Sequence, residues 1–195
     1  MKNTIATLLI GSVAMTAPAV ASDSYVGVYG GVNLDNVIDS PIVKDKVVGT
    51  VVGGVVGKEL SAVPGLRVEL DASYRTNDVK LLTPLGGIDI DHETTAVMGN
   101  VVYDLPVSFL SGKPYLLAGL GVAETQVTFE NVSLLQLETS GMAWQAGLGY
   151  NWTVADGVTA GVGYRYFQGP ELVVLGTELS DGSNDSVVAS VSFAM

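Results

Sequence analysis

Eight stretches of about ten residues, alternating apolar with polar or small side chains or running as glycine-interrupted valines, divide this chain. They lie at about 24–34, 47–57, 65–75, 94–104, 114–123, 141–152, 158–167 and 186–195. A two-residue period puts successive side chains on opposite faces, so each stretch reads as a strand with two unlike faces, and no helical period competes. Roughly 9–11 residues is also the length a tilted strand needs to cross a bilayer. The connections alternate in length: long at 35–46, 76–93, 124–140 and 168–185, short at 58–64, 105–113 and 153–157. Long connections at one rim and short turns at the other are the pattern of an outer-membrane barrel with both termini on the periplasmic side. The expected fold is all-β, an eight-stranded antiparallel up-and-down transmembrane β-barrel. A secreted β-sandwich has no reason to sort its connections this way.

The first residues read as a targeting segment. Lys2 is a short positive start, Ile5 to Val13 is largely apolar, and Ala19-Val20-Ala21 is a small-residue cleavage site. Pro18 comes too early for a membrane-spanning helix, which needs ~20 apolar residues. The expected division is a signal peptide over 1–21 and one barrel domain over 22–195. The chain has no cysteine, so no disulfide framework and no thiolate metal site is available. It is 48% hydrophobic, yet its apolar residues are spread over short segments. A net charge of −11, or −12 without Lys2, argues against nucleic acid as a partner.

The third stretch shows its faces most clearly. Leu66, Val68, Leu70, Ala72 and Tyr74 fall on one side, and Arg67, Glu69, Asp71, Ser73 and Arg75 on the other. The seventh and eighth alternate in the same way. The first two, SYVGVYGGVNL and VVGTVVGGVVG, show no contrast between faces. Closing eight strands leaves an interior just wide enough for side chains to fill. The expected lumen is a polar network of Arg67, Glu69, Asp71, Arg75, Asn100, Gln145 and Arg165, because charges there need partners. Tyrosine and tryptophan favour membrane interfaces. Tyr74, Trp144 and Tyr166 are therefore assigned to a girdle at the long-loop rim, and Tyr103, Tyr115, Trp152 and Phe193 to one at the short-turn rim.

Catalysis finds little support. Glu69 and Asp71 are two apart on one face, but a filled lumen offers no substrate cleft and the arginines hold both acids ionised. His92 is the only histidine, nothing marks a serine as its nucleophile, and a solvated loop histidine is the plainer reading. The long loops carry fourteen carboxylates against three lysines, a charge of −11. Such a rim favours divalent cations or basic partners. Asp89, Asp91 and Glu93 share a face if their segment is extended, but no complete metal-binding loop pattern is present.

Taken together, SYVGVYGGVN, GLRVELDASYR, MGNVVYDLP, KPYLLAGLGVA, WQAGLGYNW and VGYRYF resemble the OmpA-like outer-membrane β-barrel family, in particular its short, barrel-only surface proteins. The resemblance implies an eight-stranded barrel, insertion by the barrel-assembly machinery, and loops at the cell surface. Two departures stand against it: Met195 replaces the usual terminal aromatic, with Phe193 two residues earlier on the same face, and no wall-binding domain follows the barrel. The expected role is structural and interactive, in contact with outer-membrane lipid and lipopolysaccharide, without a cofactor and without enzymatic activity. The alternatives are a narrow channel for small solutes or ions and a lipid-modifying enzyme.

Overall fold

Two-residue alternation becomes strand along the whole described chain. The computed structural model describes residues 23–35, 47–83, 86–108, 111–129, 136–174, 177–180 and 182–195. The expected signal peptide and most of the first long connection lie outside these residues. The elements are β1 (Ser24–Asp35), β2 (Val47–Glu59), β3 (Leu66–Thr83), β4 (Gly86–Asp104), β5 (Gly112–Phe129), β6 (Gln136–Ala155), β7 (Val158–Gln168), β8 (Leu172–Val174), β9 (Thr177–Ser180) and β10 (Ser183–Ala194).

Eight of them close into an antiparallel barrel in the order β1-β10-β7-β6-β5-β4-β3-β2, while β8 and β9 form a separate two-stranded hairpin. The seam joins the first strand to the last, from Tyr25 opposite Ala194 to Asp35 opposite Asn184. Closure leaves no free edge around the barrel, so every strand there satisfies its backbone groups against neighbours, as lipid requires. One of the short turns is Asp156-Gly157, with Gly157 at φ 72°, a conformation that suits a tight hairpin.

The strand ends differ from expectation at the long connections. Residues 76–93 are mostly ladder, with β3 and β4 paired out to Thr83 opposite Gly86. Much of 124–140 is ladder too, paired out to Thr128 opposite Gln136. By contrast, β2 pairs with β3 only as far as Thr50 opposite Thr76, and β6 with β7 only as far as Trp144 opposite Gln168. Four strands therefore rise above the barrel as tall hairpins. Where these ladders pass beyond their neighbours, Asn77, His92 and Val127 are still buried.

Burial follows the alternation, inverted relative to a soluble protein. Leu70 is 60% exposed while Asp71 is fully buried. Val28, Val52, Val101, Leu116, Leu120, Leu148 and Val162 are likewise exposed on the outer surface. The structure also assigns the first two strands: Tyr29, Asn33 and Val51 are buried inside, and Val28, Val32, Val48, Val52 and Val56 face out.

Candidate functional site: the barrel lumen

The inward residues form successive layers. Nearest the short turns, Arg67 on β3 bonds Asp104 at the end of β4 at 2.8 Å and Glu69 at 3.3 Å. Tyr25 on β1 donates to Glu69 at 2.5 Å and accepts from Arg67 at 2.7 Å. The Arg67 guanidinium also lies beside the rings of Tyr25 and Tyr115, at 5.4 and 6.0 Å from their centroids.

The middle layer centres on Asp71. Arg165 on β7 pairs with Asp71 Oδ2 at 2.8 Å, across 94 residues of chain. Tyr29 donates to Asp71 Oδ1 at 2.8 Å, and its ring lies 4.1 Å from the Arg165 guanidinium. Asn100 reaches Asp71 Oδ2 at 3.5 Å and accepts from Gln145 at 2.7 Å. Four strands, β1, β3, β4 and β7, thus meet at one carboxylate, and β6 joins them through Gln145 and Asn100. Buried charge is tolerable here because it is paired and hydrogen-bonded.

Above this layer apolar side chains and an arginine share the interior. Ala96, Met98, Ala123, Ala143 and Phe167 form one buried cluster. Arg75 stacks on Phe167 at 3.9 Å and donates to Ser73 at 2.8 Å. Toward the tall hairpins an amide group follows, in which Asn33 bonds Asn77 at 3.0 Å and Ser186 bonds Asn33 at 3.1 Å. Thr94 and Thr125 face each other at 3.1 Å. Below the Asp71 layer a cavity of about 40 Å³ is lined by Tyr25, Tyr29, Arg67, Glu69, Tyr115 and Arg165 among others. It has room for water, and polar groups to hold it.

The seven residues expected in the lumen sort into two hydrogen-bonded groups and a separate arginine. Arg67 and Glu69 belong to the lower group, Asp71, Asn100, Gln145 and Arg165 to the middle one, and Arg75 to neither. Reading the sequence missed Tyr25, Tyr29 and Asp104. A signal for the tyrosines exists: Tyr25 and Tyr29 stand opposite Gly57 and Gly53 in the β1–β2 register, and a side chain on either glycine would overlap the facing ring.

Among the aromatics assigned to the interfaces, Tyr103, Trp144 and Phe193 are exposed, and Tyr74, Trp152 and Tyr166 half-buried. Tyr115 requires correction. It is 8% exposed and points inward over Gly149, while its neighbour Leu116 faces out. His92 also departs from the solvated-loop reading, since it lies within β4 and is buried. β4 runs through Asp89, Asp91 and Glu93, of which Glu93 is exposed. Among the described residues no group of three or more His, Cys, Asp or Glu stands ready to hold a metal ion.

Eight closed strands with an apolar outer surface and an ion-paired interior define a membrane β-barrel. The chain belongs to the outer membrane protein β-barrel domain family, which matches residues 5–193, and is accordingly a protein of the bacterial outer membrane. No curated protein matches it. Among solved structures it is similar to neisserial surface protein A, at 18% identity and a TM-score of 0.64 over 89% of this chain and 98% of that one. It is also similar to the N-terminal barrel of Pseudomonas aeruginosa OprF, at 16% identity and a TM-score of 0.51 over 88% and 97% of the chains. The Yersinia pestis attachment invasion locus protein Ail matches at 12% identity and a TM-score of 0.50 over 89% and 99%. At such identities the likeness is one of fold.

Proposed function

We propose that this chain is a structural and surface-interaction protein of the outer membrane, with its termini and short turns in the periplasm and its tall acidic hairpins at the cell surface. The observation that carries the reading is the double closure of the lumen. A paired carboxylate on β3, bonded from β1, β4 and β7, is followed directly by the packed cluster around Met98 and Phe167, on which the Arg75 guanidinium is stacked. An ion crossing it would have to shed its water against the fixed charges around Asp71 and again in the packed layer of Met98, Phe167 and Arg75. The cavity below the Asp71 layer is then a blind pocket, and the narrow-channel reading loses its path.

An enzymatic role is also set aside. His92 is buried on the tall part of β4, and Glu69 and Asp71 are each engaged by an arginine. What the molecule offers outward is the charge of its hairpins, which supports cations or basic partners as ligands. Conductance in planar bilayers tests the reading. Reconstituted protein is expected to give no discrete steps in molar potassium chloride, and regular steps from the unmodified chain would overturn it.

A further inference from the structure

Two of the lumen contacts differ from the rest in the strands they join. In the closed order β3 and β7 stand four strands apart in either direction, so they face each other across the full width of the barrel. Between them run the Asp71–Arg165 ion pair at 2.8 Å and the stacking of Arg75 on Phe167 at 3.9 Å. Arg165 and Phe167 are two apart on β7, and Asp71 and Arg75 are four apart on β3, so each pair of residues shares the inner face of its strand. The Arg165 guanidinium also covers the ring of Tyr29 on β1, whose hydroxyl bonds Asp71. All five side chains are buried. One strand thus grips the opposite wall at two heights.

A second ion pair supplies the contrast. Arg67 and Asp104 also meet at 2.8 Å, but they join β3 to β4, which are neighbours in the sheet, and lie 37 residues apart rather than 94. A contact between neighbours can form as soon as one strand has docked on the other. A contact between opposite walls needs the sheet to have curled through half a circle, whichever end of the chain pairs first. The chain entropy lost in bringing such distant segments together comes before the contact that offsets it. Interactions absent from the folding transition state slow unfolding and leave the folding rate nearly unchanged. We propose that Arg165 and Phe167 on β7 form a cross-brace that engages only when the barrel closes, and that this brace sets the lifetime of the closed barrel rather than the rate at which it forms.

Folding and unfolding rates in urea, followed in phosphatidylcholine vesicles by the gel shift on boiling, test the brace. Asp71→Asn together with Arg165→Gln removes the ion pair without leaving a lone charge, and Phe167→Leu removes the ring beneath Arg75. Each change is expected to raise the unfolding rate about tenfold, the loss of one charge-assisted or cation–π contact. The folding rate should stay within about twofold of the parent's. Arg67→Gln together with Asp104→Asn is the comparison and should show no such one-sided acceleration. Brace variants that slow folding by as large a factor as they speed unfolding, or that unfold at the parent's rate, would overturn the proposal. The same one-sided effect in the comparison would also overturn it, since position across the barrel would then not matter. If the double variant at Asp71 and Arg165 fails to insert, Phe167→Leu carries the test; failure of both would show the brace acting before closure and sink the idea.

Discussion

The belt and the lumen of this barrel are made from alternate residues of the same strands, yet they obey opposite rules. Leu70 and Asp71 are neighbours in sequence; one is largely exposed and the other has no accessible surface. On the belt, side chains need only be apolar, because lipid is a forgiving solvent without directional demands. In the lumen polar groups depend on particular partners, as Asp71 finds Arg165, Tyr29 and Asn100. The belt therefore fixes where the protein sits, and the lumen fixes which strand lies where. The Asp71–Arg165 pair shows this best, joining β3 to β7 across the interior.

The most severe way to break this comparison is to orphan a lumen charge. Asp71→Leu would leave Arg165 buried without its counter-ion and is expected to destabilise the barrel by about 3–5 kcal/mol. Reversible urea unfolding in phospholipid vesicles measures the loss. Adding Arg165→Leu to the same chain should recover most of it, because an apolar pair of similar volume is tolerated where a lone charge is not. Equal stability of the single and double variants would mean that the pair does not act as a unit.

One residue earlier, the belt is tested by the reverse change. Leu70→Arg puts a charge on the lipid face within the closed part of the barrel, where an arginine costs about 2–4 kcal/mol at mid-bilayer and less near an interface. The same unfolding experiment reads it. A loss well below that range would place Leu70 near the edge of the belt rather than at its middle.

These two neighbours also mark what could be read from the sequence. β3 was legible because its two faces differ in charge, so the alternation of Leu66 through Arg75 sorts itself. β1 and β2 were not, since valine and glycine suit either face and leave no contrast. Tyr115 was misplaced for a related reason: in Tyr115-Leu116-Leu117 both parities are apolar, and only the register over Gly149 turns the ring inward. Asp104 went unnoticed because a carboxylate at a strand end reads as part of a turn. The tall hairpins were missed although Ile88-Asp89-Ile90-Asp91 alternates, because strands were bounded at the ~10 residues a bilayer crossing needs and the ladders run on past that length. In the candidate site, residue types were legible on the high-contrast strands, whereas their grouping into layers depends on strand heights that a sequence does not display.

The mildest test uses two adjacent glycines of β2. Gly53 faces inward, where a Cβ would overlap the Tyr29 ring, and Gly54 faces outward, where the nearest atom is the Gly27 carbonyl oxygen at 3.6 Å. Tyr29 cannot retreat easily, since its hydroxyl is bonded to Asp71 and its ring is covered by Arg165. Gly53→Ala is thus expected to cost about 1–3 kcal/mol through overpacking. Gly54→Ala should stay within roughly 0.5 kcal/mol of the parent, as an unobstructed surface change. Both are read by the same urea titration, and the difference between them is the quantity of interest. If the two glycines respond alike, the rings of β1 are not held as tightly as their hydrogen bonds imply, and the contrast between a permissive belt and an exacting lumen does not extend to this part of the wall.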